Sequence, residues 1–216
     1  MVDRLKLDPA RIARLKDPKR LETVDPERIW QVVPTCPRGV IADIGTGAGY
    51  LALPFAARLP GATIHACDVL AGMLDLVRES AQARSLGNLK CVLMAGTDTG
   101  LPGCSVDLVT MVQVHHELDD PEAVLGECRR ILKSRGQLVI VDWKHPDEGG
   151  PGGATGRRVA AIDIHTQLQR TGFTNVRSHP TYPLHNLITA RPETNQTSSK
   201  GSGELLKLPS RSNQAI

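Results

Sequence analysis

The stretch that could do chemistry is "VIADIGTGAGYLALPFA", Val40 to Ala56. An apolar run ends in an acid, Asp43. Gly45, Gly47 and Gly49 follow at alternate positions, and an apolar pattern of helical period comes next. A glycine loop between strand and helix lets the backbone turn sharply and lets a ligand come close. The helix behind it offers free N–H groups and the positive end of its dipole. Dinucleotide-binding loops are built similarly, but with GxGxxG spacing. Here the spacing is GxGxG, and the carboxylate before it would repel a pyrophosphate and suit an ammonium group. Asp68 closes the next apolar run, 19 residues after Gly49. An acid there can accept both hydroxyls of a ribose. Each acid also has a local alternative: Asp43 can cap backbone amides, and Asp68 can cap the helix beginning at "AGMLDLV".

A nucleoside with positive charge and no phosphate describes S-adenosylmethionine, which carries an ammonium and a sulfonium. The run "VIADIGTGAGYLALPFA", then "IHACDVLAGML", then "GLPGCSVDLVTMVQVHHELDDPEAVLGECRRILKSRGQLVIVDW" resembles the class I S-adenosylmethionine-dependent methyltransferases. Within them it is similar to the ubiquinone/menaquinone-biosynthesis type of small-molecule enzyme. The resemblance covers about residues 25–191. It implies S-adenosyl-L-methionine as cofactor and a small-molecule acceptor that it does not name. It also implies roles: Asp43, Gly45, Thr46, Gly47 and Gly49 at the methionine end, Asp68 on the ribose, Val69 packed on the adenine, and Gln113 beside the sulfonium. The family's acid–alanine pair falls on Thr97 and Asp98, where the acid is displaced by one residue, so either can take the adenine amino group. Two further readings stay open. One is an NAD(P)-dependent oxidoreductase of Rossmann fold, which shares Asp68. The other is a non-catalytic methyltransferase-like binding protein, which the displaced acid favours.

Methyl transfer from a sulfonium is an in-line displacement, so the protein supplies mainly alignment and exclusion of water. A base is needed only where the acceptor must lose a proton. In "QVHHELDDPE", His116 is the candidate base or acceptor contact, against a histidine that merely bonds loop backbone. Adjacent side chains diverge, so His115, His116 and Glu117 do not make a metal site, and no metal is expected. Asp142 and Trp143 end the next apolar run and are candidate acceptor-lining residues, as are Tyr182 and His185 further on. Gly149, Gly150, Gly152 and Gly153 make the intervening loop either a gate or a slack linker. The chain lacks the "NPPY" type of motif associated with methylation of nucleobase or glutamine amino groups.

These residues need a scaffold. Strand patterns at 39–44, 62–68, 88–96, 106–114 and 136–143 alternate with helical patterns at 50–59, 71–87 and 120–136. A further helix is expected within 155–172, and two closing strands at 173–180 and 183–192. Apolar-through strands alternating with helices predict an α/β, Rossmann-like, doubly wound, mostly parallel seven-stranded sheet with helices on both faces. The last two strands have no helix between them and are expected as an antiparallel C-terminal pair. Asp-Pro starts predict helices at about 9–15 and 26–33. Residues 1–38 are thus expected as a helical lid, with Arg11, Arg14 and Trp30 as candidate lid residues. Residues 39–191 are expected as the methyltransferase domain that the resemblance implies, and 192–216 as a mobile tail.

Composition bounds the rest. The chain has 216 residues, enough for one domain; it is 40% apolar and 23% charged, with net charge +3 and a pI near 8.7. No basic run with interleaved aromatics suggests nucleic acid. Cys36, Cys67, Cys91, Cys104 and Cys128 are odd in number and form no CxxC, which points to reduced thiols in the cytoplasm. No apolar run reaches the length of a membrane span, and the first twenty residues do not read as a signal peptide. The oligomeric state is left between monomer and homodimer.

Overall fold

The computed structural model describes residues 9–17, 19–33, 38–151 and 157–193. Seven strands are present: β1 (Val40–Ile44), β2 (Thr63–Asp68), β3 (Leu89–Leu93), β4 (Val106–Val112), β5 (Leu132–Trp143), β6 (Phe173–His179) and β7 (His185–Pro192). They form one sheet in the order β3-β2-β1-β4-β5-β7-β6. β1 to β5 are parallel, and β7 runs antiparallel to both of its neighbours, β5 and β6. The order reverses between β1 and β4, which opens a crevice at their carboxyl ends, where α/β sheets bind ligands.

Ile41, Ala42, Asp43 and Ile44 are all buried, because helices cover both faces of the sheet. On one face α5 (Pro121–Ile131) and α6 (Ala161–Arg170) bring Leu125, Ile131, Ile164 and Leu168 against Ala42, Val109 and Met111. On the other, α3 (Ala52–Arg58) and α4 (Ala71–Ala83) bring Phe55 and Val77 against Ile41, Ile64 and Leu108. The N-terminal segment, α1 (Pro9–Leu15), α2 (Arg20–Thr23) and a 3-10 turn at Pro26–Gln31, lies on this second face. Its Ile29 is buried in that core, and its Trp30 ring packs 4.2 Å from the Phe55 ring.

Three elements differ from the sequence pattern. The helix expected to run to Gly136 stops at Ile131, and β5 begins at Leu132. Leu132 pairs with Val106 of β4, and Lys133 Nζ donates to Asp107 at 2.8 Å, so sheet pairing overrides the helical period. The segment expected as a helix at 26–33 is a 3-10 turn, because the Asp25 carboxylate accepts from Glu27 N at 2.9 Å and tightens the first turn. α2 has no signal in the sequence. By contrast, Pro54 falls at the third position of α3, within its first turn, where its missing N–H costs nothing.

No helix among the described residues is long and apolar enough to cross a membrane. Cys36 and residues 194–216 lie outside the described residues.

One side chain outside the core joins α3 to the sheet. Asn88 Nδ2 donates to the carbonyls of Ala56, Leu59 and Ala62 at 3.1, 2.9 and 3.1 Å. These are the orphan acceptors at the C-terminal end of the helix and its turn. Asn88→Ala is predicted to lower stability by about 1–2 kcal/mol, read as a lower midpoint of chemical denaturation with an unchanged slope.

Candidate active site

The crevice holds a cavity of 420 Å³, within the roughly 300–1,000 Å³ typical of small-molecule sites. Its floor is the glycine loop. Gly45 takes φ +67°, and a Cβ there would stand 2.5 Å from Val114, so no other residue fits between this loop and the end of β4. Gly49, at φ +80°, is turned away from the cavity against Leu53, 2.9 Å from where a Cβ would sit.

Asp43, at the end of β1, is 3% exposed and accepts a hydrogen bond from Thr110 Oγ1 at 2.8 Å. Burial pushes its carboxyl up to about 6; the Thr110 bond pulls the other way, and the Asp68 charge adds to the rise. Asp68, at the end of β2, accepts from Gly47 N and from Leu70 N, each at 2.9 Å. It therefore braces the glycine loop and the entry to α4 together, and it also lines the cavity. Thr46 Oγ1 is buried on the same wall and makes no well-formed hydrogen bond.

The cavity wall includes Asp43, Gly45, Thr46, Gly47, Asp68, Val69, Thr97 and Gln113. Of the residues the sequence suggested for a cofactor, Gly49 and Asp98 do not line it. Asp98 turns back to accept from Gly100 N at 2.7 Å, so Thr97 is the member of that pair facing the cavity. Gln113 holds an unusual backbone, φ +56°, and its amide is used at both ends. Arg20 Nη2 donates to its Oε1 at 2.7 Å, and its Nε2 lies 2.9 Å from His185 Nε2. The first bond fixes the amide's orientation, so Nε2 must donate and His185 Nε2 must be unprotonated. Burial agrees, lowering the His185 pKa to about 4.

The suggested acceptor-side residues stand behind this wall rather than on it. His116 Nδ1 pairs with Asp142 Oδ1 at 2.7 Å, and His116 N donates to Asp142 Oδ2 at 2.9 Å. Trp143 stacks on His185 with ring centroids 4.0 Å apart, beneath the Arg158 guanidinium at 5.1 Å. Tyr182 is buried and donates its hydroxyl to Asp25 O at 2.6 Å. His115 is fully buried, diverging from His116. Gly149 and Gly150 close a capped turn in which Glu148 accepts from Ala161 N at 2.7 Å and from Asn186 Nδ2 at 2.9 Å. Gly152 and Gly153 lie outside the described residues, as does the side chain of Arg11. Arg14 is exposed.

Sequence reasoning expected residues 1–38 over the cleft but singled out other residues of that segment than those on the wall. Leu15 and Arg20 line the cavity, as do Tyr50, Glu117, Asp119 and Asp120. Tyr50 had a signal, being next to Gly49; Arg20 had none, since its reach into the site is a long-range contact.

The residues fit S-adenosylmethionine. The wall carries five carboxylates, Asp43, Asp68, Glu117, Asp119 and Asp120, which suits a sulfonium and an ammonium and disfavours a pyrophosphate. A methyltransferase-domain model matches residues 42–140. The demethylmenaquinone methyltransferase of Thermus thermophilus is 33% identical over 112 residues, 52% of this chain and 50% of that protein. The ubiquinone/menaquinone biosynthesis C-methyltransferase of Geotalea daltonii is 30% identical over 112 residues, 51% of this chain and 48% of that one. This chain thus spans about half the length of these curated relatives. A crystal structure of an S-adenosylmethionine-dependent methyltransferase from Aquifex aeolicus superposes with a TM-score of 0.76 at 27% identity, covering 86% of this chain and 98% of that one. The sheet order and the acid-fronted glycine loop thus go with a methyltransferase-domain match over residues 42–140 and with similarity to S-adenosylmethionine-dependent methyltransferases, those of ubiquinone and menaquinone biosynthesis among them.

Proposed function

We propose that this protein transfers a methyl group from S-adenosylmethionine to a small-molecule acceptor. The observation that carries the reading is the acid-lined cavity over the glycine loop, with Asp43 and Asp68 at the ends of adjacent strands. When bound, the cofactor supplies a methyl on a sulfonium leaving group, so the acceptor–carbon bond forms as the carbon–sulfur bond breaks. Asp68, held by the Gly47 and Leu70 amides, presents its carboxylate to the ribose. Val69 and Thr97 border the adenine. Asp43 and the glycine loop take the methionine end, and Gln113 shapes the wall beside the sulfonium. Residues 1–38 act as a lid over the donor, with the 39–191 domain beneath.

For an acceptor that must lose a proton, His116 is the base in this reading. Its Nδ1 is fixed by Asp142, which leaves Nε2 to receive the proton. The acceptor is a small molecule rather than a nucleic acid, and the protein works in the cytoplasm as a monomer or homodimer. Free thiols at Cys67, Cys91, Cys104 and Cys128 support that location.

Isothermal titration with S-adenosylhomocysteine tests the reading: the folded protein is expected to bind it, and Asp68→Ala to weaken binding by about tenfold or more through loss of a charge-assisted hydrogen bond. Absence of binding by folded protein overturns it, and tight NADH binding would favour the oxidoreductase instead. Incubation with deuterated cofactor and a metabolite panel, read by mass, then identifies the acceptor; cofactor binding with no transfer to any acceptor points to the non-catalytic reading.

The pH dependence has a definite sign. A ligand ammonium pairs with ionised Asp43, whose pKa in the free protein is raised to about 6. Affinity is expected to be flat well above pH 6 and to fall about tenfold per unit below it, and Asp43→Asn should be weaker and without that slope. Stability of the free protein moves oppositely: the stabilising contribution of a raised carboxyl is full below its unfolded value and is lost as pH rises through about 6. His116→Asn is predicted to lower kcat by about 10²–10⁴ for acceptors that lose a proton, and to spare acceptors that are already ionised.

A further inference from the structure

The cavity wall carries five carboxylates and, among the described residues, one cation, Arg20. Arg20 belongs to α2, outside the sheet, yet its guanidinium reaches the end of β4. Nη1 donates to Leu15 O at 3.0 Å, Nη2 donates to Gln113 Oε1 at 2.7 Å, and the Tyr50 ring lies 4.3 Å from its central carbon. All three partners are uncharged. Among the described residues Arg20 makes no ion pair. A guanidinium has five N–H donors, so a fork remains after these two bonds. Its position is also fixed from behind, since Tyr50 donates its hydroxyl to Arg20 O at 2.9 Å and also to Val24 O. The residue after Gly49 thus sets where the charge stands.

We propose that Arg20 is the specificity residue for the α-carboxylate of the cofactor, so that the N-terminal segment reads the amino-acid end of the donor by its charge. The proposal rests on the cofactor reading above. S-adenosylmethionine carries two positive groups and one negative group. The acids of the wall answer the positive groups. The negative one would face a wall of like charge, were Arg20 not there to meet it with a planar fork that matches a carboxylate. Burial lowers the pKa of this arginine below its ordinary value, but a guanidinium stays charged in a protein, so it stands partly desolvated and awaiting an anion. Gln113 keeps its bond to His185 through Nε2 whichever oxygen Arg20 favours.

A strut that only holds α2 in place would also use these contacts. The two roles separate when the ligand, rather than the protein, loses the carboxylate. Titration calorimetry on the full chain with S-adenosylmethionine and decarboxylated S-adenosylmethionine, which keeps the sulfonium and ammonium, makes the comparison. Wild type should prefer the carboxylated ligand by about 10- to 100-fold, the range of a charge-assisted pair. Arg20→Gln should lose that factor for S-adenosylmethionine and bind the decarboxylated ligand within about twofold of wild type, so that the preference disappears. Arg20→Lys should keep part of it, having charge without the fork. Equal losses for both ligands in Arg20→Gln, or no loss for either, overturn the assignment and leave the cofactor reading standing. Failure of wild type to bind either ligand overturns both. Should Arg20→Gln fail to fold, as judged by circular dichroism, the wild-type preference and its reduction in Arg20→Lys decide; an equal affinity of wild type for the two ligands is then the overturning result.

Discussion

The carboxylate of Asp43 stands at the end of the central strand, 3% exposed, with a hydrogen bond from Thr110 on the neighbouring strand and weaker support from Thr46 and the Ala52 amide. Taking a carboxylate out of water costs several kcal/mol unless a partner charge or several donors repay it. Two hydroxyls and an amide do not repay it in full, and burial accordingly raises the pKa to about 6. The fold tolerates this acid because the parallel sheet leaves no choice of position. β1 is flanked by β2 and β4 in parallel register, so its carboxyl end opens at the switch point, and whatever binds there meets Asp43. A cationic group placed there would supply the counter-charge that this carboxylate lacks in the free protein.

The other parts of the site follow from holding that carboxylate in place. Asp68 braces the glycine loop through Gly47 N and the start of α4 through Leu70 N, so two strand ends and one helix start share a carboxylate. Gly45 is pressed against Val114, which sets the loop's distance from β4. Tyr50 carries the arrangement outward by gripping the carbonyls of Arg20 and Val24. Trp30 against Phe55 secures the same segment lower down. The N-terminal segment is therefore bound to the glycine loop and to the core at once.

What could be read from the sequence follows the range of the interactions. The doubly wound sheet was legible because its period is local: an apolar-through strand such as Val40–Ile44 declares burial on both faces in five residues. The cavity over the glycine loop was legible for the same reason, as Asp43, Gly45, Gly47 and Asp68, which line it, lie on consecutive strand–loop units. Arg20 was illegible because "KDPKRLETV" is a charged, proline-broken segment whose partner, Gln113, is 93 residues away. The end of α5 was misread because "ILKSRG" has a helical period, and only the pairing of Leu132 with Val106 shows that the sheet claims it. The choice between Thr97 and Asp98 turned on one turn: Asp98 reaches Gly100 N and so faces its own loop.

Burial also explains how the wall behind the cavity stays quiet. The desolvation that raises Asp43 lowers His185 to about 4, so the imidazole is neutral at physiological pH and accepts from Gln113. A protonated ring would face the Gln113 amide donor with a donor of its own, and it would stand near Arg20 and Arg158, both of which already depress its pKa. Neutral His185 allows Trp143 to stack on it and Gln113 to hold its strained backbone with both amide ends engaged. Charge is thereby sorted across one strand end. Acids face the cavity, where a cation can answer them, and the groups behind Gln113 are kept neutral or paired, as His116 is with Asp142. Gln113 thus lies between the cavity it lines and the stacked His185 and Trp143 rings.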